Sequence, residues 1–190
     1  MKRIAIFASG NGTNAENIIG HFNGKDKAGE VALIVCNRSG AGVVERAKRL
    51  NVPVSLIDKN KMADKEYMLG LLEEHNIDFV VLAGFLMMIP SYLIEEYRDS
   101  IINIHPSLLP AYGGKGMYGR HVHEAVVAAG EKETGITIHR VSEECDGGEI
   151  LFQAKIPVTS EMSVEDVEKE IHHLEACHFP VVIERILSEV

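Results

Sequence analysis

The sequence predicts an α/β protein, with a Rossmann-like, mostly parallel twisted sheet flanked by helices and followed by a long C-terminal helix. Three observations predict this class. Short β-branched runs alternate with helical patterns, two of those runs are almost entirely apolar, and an apolar stripe of helical spacing follows Ser163. Alternation of strands and helices is typical of parallel sheets. Strands that are apolar on both faces are usually covered by helices on both sides.

The first part of the chain supplies five predicted strands and four predicted helices. The strands are the β-branched runs 4–8, 31–36, 54–57, 79–83 and 101–104. Helical periodicity predicts helices at 43–50 and 65–75, and Pro90 is expected to open a further helix in its first turn. The segment Thr13-Asn14-Ala15-Glu16 has the spacing of a capping box, so another helix is expected to begin at Thr13.

The rest of the chain is expected to hold a long loop, two more strands and two more helices. Glycines and two prolines predict a loop over 106–119, and loops of that length are usually functional or mobile. A helix is expected around 123–129, and strands at 135–141 and 150–157, with the direction of the two strands left open. Pro180 is expected to kink or split the terminal helix, because proline lacks a backbone N–H.

Length, charge and cysteine content narrow the class of protein. A chain of 190 residues, 46% hydrophobic, predicts one domain over 1–190. The net charge of −9 and the lack of a basic cluster argue against nucleic acid or anionic membranes as partners. The longest apolar stretch, 79–89, is well short of the ~20 residues that span a bilayer. Three scattered cysteines suit a reducing cytoplasm, and the chain is expected to be mature from residue 1.

A glycine-flanked turn follows the first predicted strand, at Ser9-Gly10-Asn11-Gly12-Thr13-Asn14. The N–H groups at a helix start favour an anion, and glycine lets the backbone approach it, so the turn is a candidate phosphate site. An ordinary strand-to-helix turn is the alternative. The segment also fits a permissive dinucleotide fingerprint, and Arg38 after the second strand keeps an NADP oxidoreductase open.

Two further clusters carry polar side chains after strands. Asn103 and His105 are two residues apart, so in an extended strand they project from one face and can both donate hydrogen bonds to an oxyanion. The alternative is a polar strand end with a hydrogen-bonded histidine. The acidic loop 143–148 contains Asp146, and a carboxylate near His105 would stabilise the imidazolium and fix its tautomer. The alternative for this loop is an ordinary Asp-Gly turn.

The remaining polar candidates point to no metal site. His121 and His123, and likewise His173 and Cys177, have ligand-like spacing, but no carboxylate or thiol set completes either pair. Met87 and Met88 are by default expected in the core.

Together, and in this order, these clusters resemble the glycinamide ribonucleotide formyltransferase family, the folate-dependent enzymes of purine synthesis. The matching segments are Ser9 to Asn14, Leu82-Ala83-Gly84-Phe85, Asn103-Ile104-His105-Pro106-Ser107-Leu108-Leu109-Pro110 and Asp146-Gly147-Gly148. The resemblance covers nearly the whole chain. It implies a single formyltransferase domain over 1–190, and a protein that is located in the cytoplasm as a monomer or a homodimer. The implied reaction moves a formyl group, without a metal, from 10-formyltetrahydrofolate to the amino group of glycinamide ribonucleotide.

Matched positions in the family imply three groups of site residues. Asn103, His105 and Asp146 form the catalytic set, in which Asn103 and protonated His105 stabilise the oxyanion and Asp146 supports the imidazolium. The ribonucleotide phosphate is expected at Gly12, Thr13 and Asn14, and its ribose or glycinamide portion at Glu175. The folate is expected at Lys65, Leu86, Met87, Met88, Ile89, Asn103, Ser142, Glu143, Glu144 and Cys145.

The chain departs from the family pattern at several places, and one of them is the C-terminus, which is expected to end soon after the long helix without the tail of some relatives. Many relatives carry arginine at the position of Met87, and some carry arginine at Lys65, where it would grip a carboxylate bidentately. The glycine-rich segment 113–119 makes the loop longer than in common relatives.

Other functions stay open at this point. Methionyl-tRNA formyltransferase and formyltetrahydrofolate hydrolase share the Asn, His and Asp residues, but the chain is expected to be too short for their additional domains, and its net charge disfavours tRNA. From other classes, an NADP oxidoreductase and a non-catalytic nucleotide-binding module remain. Neither of these two explains Asn103, His105 and Asp146 together.

Overall fold

The structure, a computed structural model, describes residues 1–24 and 26–189. Within these residues the chain forms seven strands and seven helices. The strands are β1 (Lys2–Ala8), β2 (Gly29–Cys36), β3 (Val54–Leu56), β4 (Phe79–Leu82), β5 (Ile101–His105), β6 (Glu133–Arg140) and β7 (Ile150–Pro157). The helices are α1 (Thr13–Phe22), α2 (Gly42–Arg49), α3 (Lys59–Ala63), α4 (Lys65–Glu74), α5 (Ser91–Glu96), α6 (Arg120–Ala128) and α7 (Val164–Glu189).

The strands form one sheet in the order β3-β2-β1-β4-β5-β6-β7. β1 pairs in parallel with β2 and with β4, and β2 pairs in parallel with β3. Helices α1 and α2 make the crossovers that such parallel neighbours need. β6 and β7 are antiparallel, which settles the direction that the sequence left open. The predicted α/β class, with a mostly parallel sheet and a long C-terminal helix, is confirmed.

Contacts divide the chain into two compact units, residues 1–102 with the end of α7 from Pro180, and residues 103–179. In the first unit, β1 is fully buried from Ile4 to Ala8, and β4 is buried along its whole length. In the second, β6 is buried from Thr134 to His139. The prediction of one domain over 1–190 stays a prediction.

Helix α1 begins at Thr13, as predicted, but the predicted capping box is wrong. Gly12 is the N-cap, and no side chain caps the helix. The Glu16 carboxylate instead pairs with Arg46 and Arg49 of α2. A true reciprocal cap occurs before α7, where the Ser163 hydroxyl accepts from the Asp166 N–H at 3.1 Å and the Ser163 N–H donates to the Asp166 carboxylate at 2.8 Å.

Two other helix predictions differ from the structure, and one helix was missed. α7 continues through Pro180 to Glu189, so the helix is not split there, and the alternative prediction of a kink stays a prediction. Pro90 stands just outside α5 as its N-cap. α3 was not predicted; it is a short helix at whose start the Asp58 carboxylate accepts a hydrogen bond from the Lys61 N–H at 2.8 Å. In the described residues no helix is both long and apolar enough to cross a membrane.

Candidate active site

The first unit has a topological switch at β1, because β2 pairs on one side of β1 and β4 on the other. Ligands of open α/β sheets bind outside the carboxyl ends of the strands at such a switch. The segments that leave β1 and β4 are joined here by two hydrogen bonds. The Ser9 N–H donates to the Gly84 carbonyl at 3.0 Å, and the Leu86 N–H donates to the buried Ser9 hydroxyl at 2.9 Å.

Gly12 makes the tight entry into α1 possible. Its φ is +81°, in the left-handed region, and a Cβ atom there would lie 2.6 Å from the Cα of Val43. The Glu16 N–H already donates to the Gly12 carbonyl at 2.9 Å, so the helix is formed from its first turn. The first N–H groups of an α-helix have no carbonyl partner inside the helix, and the helix dipole adds positive potential there.

Helix α2 holds this turn from the side. The Val43 N–H donates to the Gly10 carbonyl at 3.2 Å, and the Arg46 guanidinium donates to the Asn11 carbonyl at 2.8 Å. Gly42 packs against Asn11 so closely that an added Cβ would lie 2.5 Å from its side-chain oxygen. The turn is therefore a fixed backbone cradle, which is the arrangement that an anion site at a helix start requires.

The segment after β4 turns apolar side chains outward. Leu86 is 44% exposed and Met88 is 67% exposed, whereas Met87 and Ile89 are half-buried. The default expectation that the two methionines belong to the core is therefore wrong for Met88. Exposed apolar side chains beside a switch point can contact a flat aromatic ligand.

The second unit places His105 beside Asp146, and Asn103 is linked to this pair through His139. His105 ends β5 and is only 4% exposed, and its Nδ1 lies 3.5 Å from an oxygen of the Asp146 carboxylate. The other ring nitrogen, Nε2, lies 2.8 Å from the Tyr112 carbonyl oxygen. A carbonyl oxygen only accepts, so Nε2 carries a proton. Nδ1, facing the carboxylate, is therefore the nitrogen left to exchange a proton.

Backbone groups of the long loop fix this pair. Tyr112 has φ 55° and Asp146 has φ 56°, a conformation that is rare for a bulky side chain such as tyrosine. The Gly114 N–H donates to the Asp146 carboxylate at 2.8 Å. Residues 106–119 form neither helix nor strand, as predicted, and this loop makes hydrogen bonds to the pair through the backbone of Tyr112 and Gly114.

The loop that carries Asp146 is shaped by the two glycines that follow it. The Gly147 N–H donates to the Glu144 carbonyl at 3.1 Å, which closes a turn. A Cβ atom at Gly148 would overlap the Arg140 carbonyl, so only glycine fits there. The Ser142 hydroxyl donates to the Glu144 carbonyl at 3.1 Å. Partial burial of the Cys145 thiol raises its pKa, and the negative charge of Asp146 raises it further.

His139, on β6, is a site residue that the sequence reasoning missed. Its Nε2 lies 3.1 Å from the Asn103 amide nitrogen and 3.7 Å from the second Asp146 oxygen. Its Nδ1 lies 2.8 Å from the Arg140 carbonyl oxygen. A lone histidine in a strand has no local motif, and its partner Asn103 is far away in sequence, so no sequence signal pointed to it.

Thr137, two residues earlier on β6, supports the chain just after His105. It is fully buried, and its hydroxyl donates to the Ser107 carbonyl at 2.7 Å. The same oxygen accepts from the Leu109 N–H and from the Gln153 amide, each at 2.9 Å. These hydrogen bonds attach the segment that follows β5 to β6.

Comparison of the chain with known proteins identifies its family. The formyl transferase family model matches residues 2–183. The chain belongs to the formyl transferase family. It is 37% identical over 192 residues to phosphoribosylglycinamide formyltransferase of Bacillus subtilis, covering 99% of this chain and 96% of that protein. The crystal structure of phosphoribosylglycinamide formyltransferase from Bacillus halodurans superposes with a TM-score of 0.89 at 40% identity, covering 98% of this chain and 96% of that one.

The chain covers only part of a plant relative. The chain is 37% identical over 193 residues to the chloroplastic phosphoribosylglycinamide formyltransferase of Arabidopsis thaliana, covering 99% of this chain and 66% of that protein. The chain therefore spans about two thirds of the plant protein and nearly all of the Bacillus subtilis one.

The remaining residues that the formyl transferase resemblance assigned lie apart from the catalytic cluster in sequence. Lys65 is the exposed first residue of α4, and Glu175 is a buried carboxylate on α7.

His173 and Cys177, the pair with ligand-like spacing, are exposed, with Nε2 and Sγ 3.7 Å apart. Among the residues described, no group of three or more histidines, cysteines or carboxylates is arranged to hold a metal ion.

Proposed function

We propose that this formyl transferase moves the formyl group of 10-formyltetrahydrofolate to the amino group of glycinamide ribonucleotide. The products are formylglycinamide ribonucleotide and tetrahydrofolate, and the reaction belongs to de novo purine biosynthesis. The observation that carries the proposal is that His105 lies beside Asp146, and that His139 contacts both Asp146 and Asn103, in a member of the formyl transferase family.

The catalytic step uses the side chains of Asn103, His105 and Asp146. The substrate amine attacks the formyl carbon and forms a new C–N bond, and negative charge develops on the formyl oxygen. The Asn103 amide stabilises that oxyanion by donating a hydrogen bond, and so does the Nδ1–H group of protonated His105. The bond to the folate nitrogen then breaks, and the proton lost by the amine ends on that nitrogen.

His105 and Asp146 divide the proton handling between them. Nε2 of His105 is committed to the Tyr112 carbonyl, so Nδ1 is the atom that gives and takes protons. The Asp146 carboxylate, 3.5 Å from Nδ1, stabilises the imidazolium, and the Gly114 N–H holds that carboxylate in place. This step needs hydrogen-bond donors and a proton carrier, and no metal is proposed.

The substrates are assigned to the segments that the family resemblance marks. The ribonucleotide phosphate is proposed at the start of α1, at Gly12, Thr13 and Asn14, where the backbone turn is held by α2. The ribose or glycinamide part is proposed at Glu175. The folate is proposed at Lys65, Leu86 to Ile89, Asn103 and Ser142 to Cys145, with the exposed Leu86 and Met88 as apolar contacts.

The setting of the enzyme is also proposed. It acts in the cytoplasm on two small molecules, as a monomer or a homodimer, and takes neither nucleic acid nor membrane as a partner. The net charge of −9 supports the exclusion of nucleic acid, because the phosphate backbone would be repelled.

The proposal is tested by the acceptor dependence of folate release. Tetrahydrofolate is measured after 10-formyltetrahydrofolate is added with no acceptor, with glycinamide, and with glycinamide ribonucleotide. Only the ribonucleotide is expected to give rapid release, because anchoring its phosphate makes the amine attack effectively intramolecular. Equal release in the three arms would identify a hydrolase. Saturable binding of NADPH, with no formyl transfer, would identify an oxidoreductase or a nucleotide-binding module.

A further inference from the structure

His139 holds a single tautomer in a buried position. It is 2% exposed, and its Nδ1 lies 2.8 Å from the Arg140 carbonyl oxygen. Two acceptors cannot approach so closely, so a proton on Nδ1 joins them. Burial lowers the pKa of His139, and this effect outweighs the opposing hydrogen bond to Arg140 and the charge of Asp146. The ring is therefore neutral at pH 7, with a lone pair on Nε2.

That lone pair faces the Asn103 side chain. The nitrogen of the amide lies 3.1 Å from Nε2, so one of its N–H groups donates to His139. The reverse orientation of the amide would place its oxygen against the same lone pair, and the two acceptors would repel. The contact consequently selects one of the two amide orientations.

We propose that His139 is a positioning residue that orients the Asn103 amide for the formyl transfer reaction. One amide N–H is held by His139, and the second N–H remains available to the oxyanion. The inference rests on the proposed function in one respect only, because the oxyanion belongs to that reaction. The orientation itself is a property of the free protein.

Protonation of His139 would undo this arrangement. With a proton on Nε2, the ring would face the amide N–H with a donor, and the amide would have to turn its oxygen inward. The groups that face the ring are Asp146 at 3.7 Å, the Arg140 carbonyl, and His105, whose ring would oppose protonation of His139 whenever it is charged. As pH falls, loss of the amide orientation is expected to follow the protonation of His139.

Two substitutions of His139 distinguish the roles of its two ring nitrogens. In His139→Asn the amide reaches only as far as Nδ1 and can keep the Arg140 contact, but no acceptor meets Asn103. In His139→Gln the longer side chain brings its oxygen to the place of Nε2. Loss of a whole oxyanion donor costs ~10²–10³ in kcat, so a misoriented donor in His139→Asn is expected to cost about tenfold or more. KM for glycinamide ribonucleotide, which is assigned to residues other than Asn103, should stay within about twofold, and His139→Gln should recover most of the loss.

A double-mutant cycle tests whether His139 acts through Asn103. Asn103→Ala removes the amide, so the pair Asn103→Ala/His139→Asn is expected to be no slower than Asn103→Ala alone. Equal, independent losses that multiply in the double variant would overturn the proposal. So would a His139→Asn enzyme with normal kcat.

A spectroscopic measurement keeps the test independent of activity. Nitrogen-15 NMR of the wild-type protein should show His139 at pH 7 with a protonated Nδ1 and an unprotonated Nε2. On acidification the Asn103 amide signals should shift with the same midpoint as the His139 ring. A proton on Nε2 at pH 7, or Asn103 signals that ignore the His139 titration, would overturn the proposal. Absence of formyl transfer with the expected NMR behaviour would instead contradict the proposed function alone.

Discussion

Replacement of Gly12 by alanine should be costly, whereas the same change two residues earlier should be nearly silent. Gly12 has φ +81°, and an added Cβ would lie 2.6 Å from both the Cα and the Cβ of Val43. The Val43 backbone cannot retreat easily, because its N–H donates to the Gly10 carbonyl and Arg46 holds the Asn11 carbonyl. At Gly10, an added Cβ would meet nothing within 4 Å.

The expected magnitude follows from two separate costs. A left-handed backbone costs alanine about 1–2 kcal/mol relative to glycine. Forcing an extra carbon into a packed contact costs roughly 1–3 kcal/mol more. The free energy of unfolding of Gly12→Ala should therefore fall by about 2–5 kcal/mol, which for a chain of this length lowers Tm by about 4–20 °C. Gly10→Ala should stay within about 0.5 kcal/mol of the wild type.

Urea unfolding measures the stability cost, and inorganic phosphate tests the site. Phosphate is expected to compete with glycinamide ribonucleotide and not with the folate, and Gly12→Ala should raise KM for the ribonucleotide more than for the folate, because the helix start moves. Equal stability and equal ribonucleotide KM in Gly12→Ala and Gly10→Ala would show that the turn is neither tightly packed nor a phosphate cradle.

Three further predictions concern the second unit. Thr137→Val keeps the shape of a fully buried side chain but leaves the Ser107 carbonyl and the Leu109 N–H without their hydrogen-bond partner. Urea unfolding should therefore show a free energy of unfolding that is lower by about 2–3 kcal/mol. The control is Thr159→Val at an exposed position, where the change should be near zero. His105→Ala should lower kcat by at least ~10²-fold in steady-state assays while calorimetric substrate affinity stays within several-fold, and near-normal turnover would remove His105 from the catalytic set. Burial lowers the pKa of His123 and of His139. Below about pH 6.5 these two histidines therefore bind more protons in the unfolded chain than in the folded one. Stability should therefore fall as pH drops from 6.5, and His123→Gln should flatten that slope; an unchanged slope would contradict the assignment for His123.

Local patterns predicted the elements of the fold, and they failed where a distant partner decides the outcome. The β-branched runs were found because burial on both faces demands continuous apolar side chains, as in β4. The start of α1 at Thr13 was predicted correctly, but the reason was wrong because Glu16 pairs with two arginines of α2. α3 was missed because one turn has no periodicity to detect.

The candidate site shows the same division between local and distant information. Asn103 and His105 could be predicted as a pair because two residues in a strand share a face, and His105 does lie beside Asp146. The roles of Tyr112 and Gly114 could not be predicted, since they act through backbone groups that any residue type carries. His139 could not be found either, because its value lies in a contact with Asn103 that only the folded chain creates.

The fate of an isotopically labelled formyl carbon decides whether this cluster transfers formyl groups to an amine. 10-Formyltetrahydrofolate carrying the label is mixed with glycinamide ribonucleotide and either the wild-type enzyme or His105→Ala, and the labelled carbon is followed by NMR. With the wild type, the label is expected to move to a formamide on the ribonucleotide amine at the rate at which tetrahydrofolate appears, and His105→Ala should slow both together. Label recovered as formate, or a formamide formed equally fast by His105→Ala, would contradict formyl transfer at Asn103, His105 and Asp146.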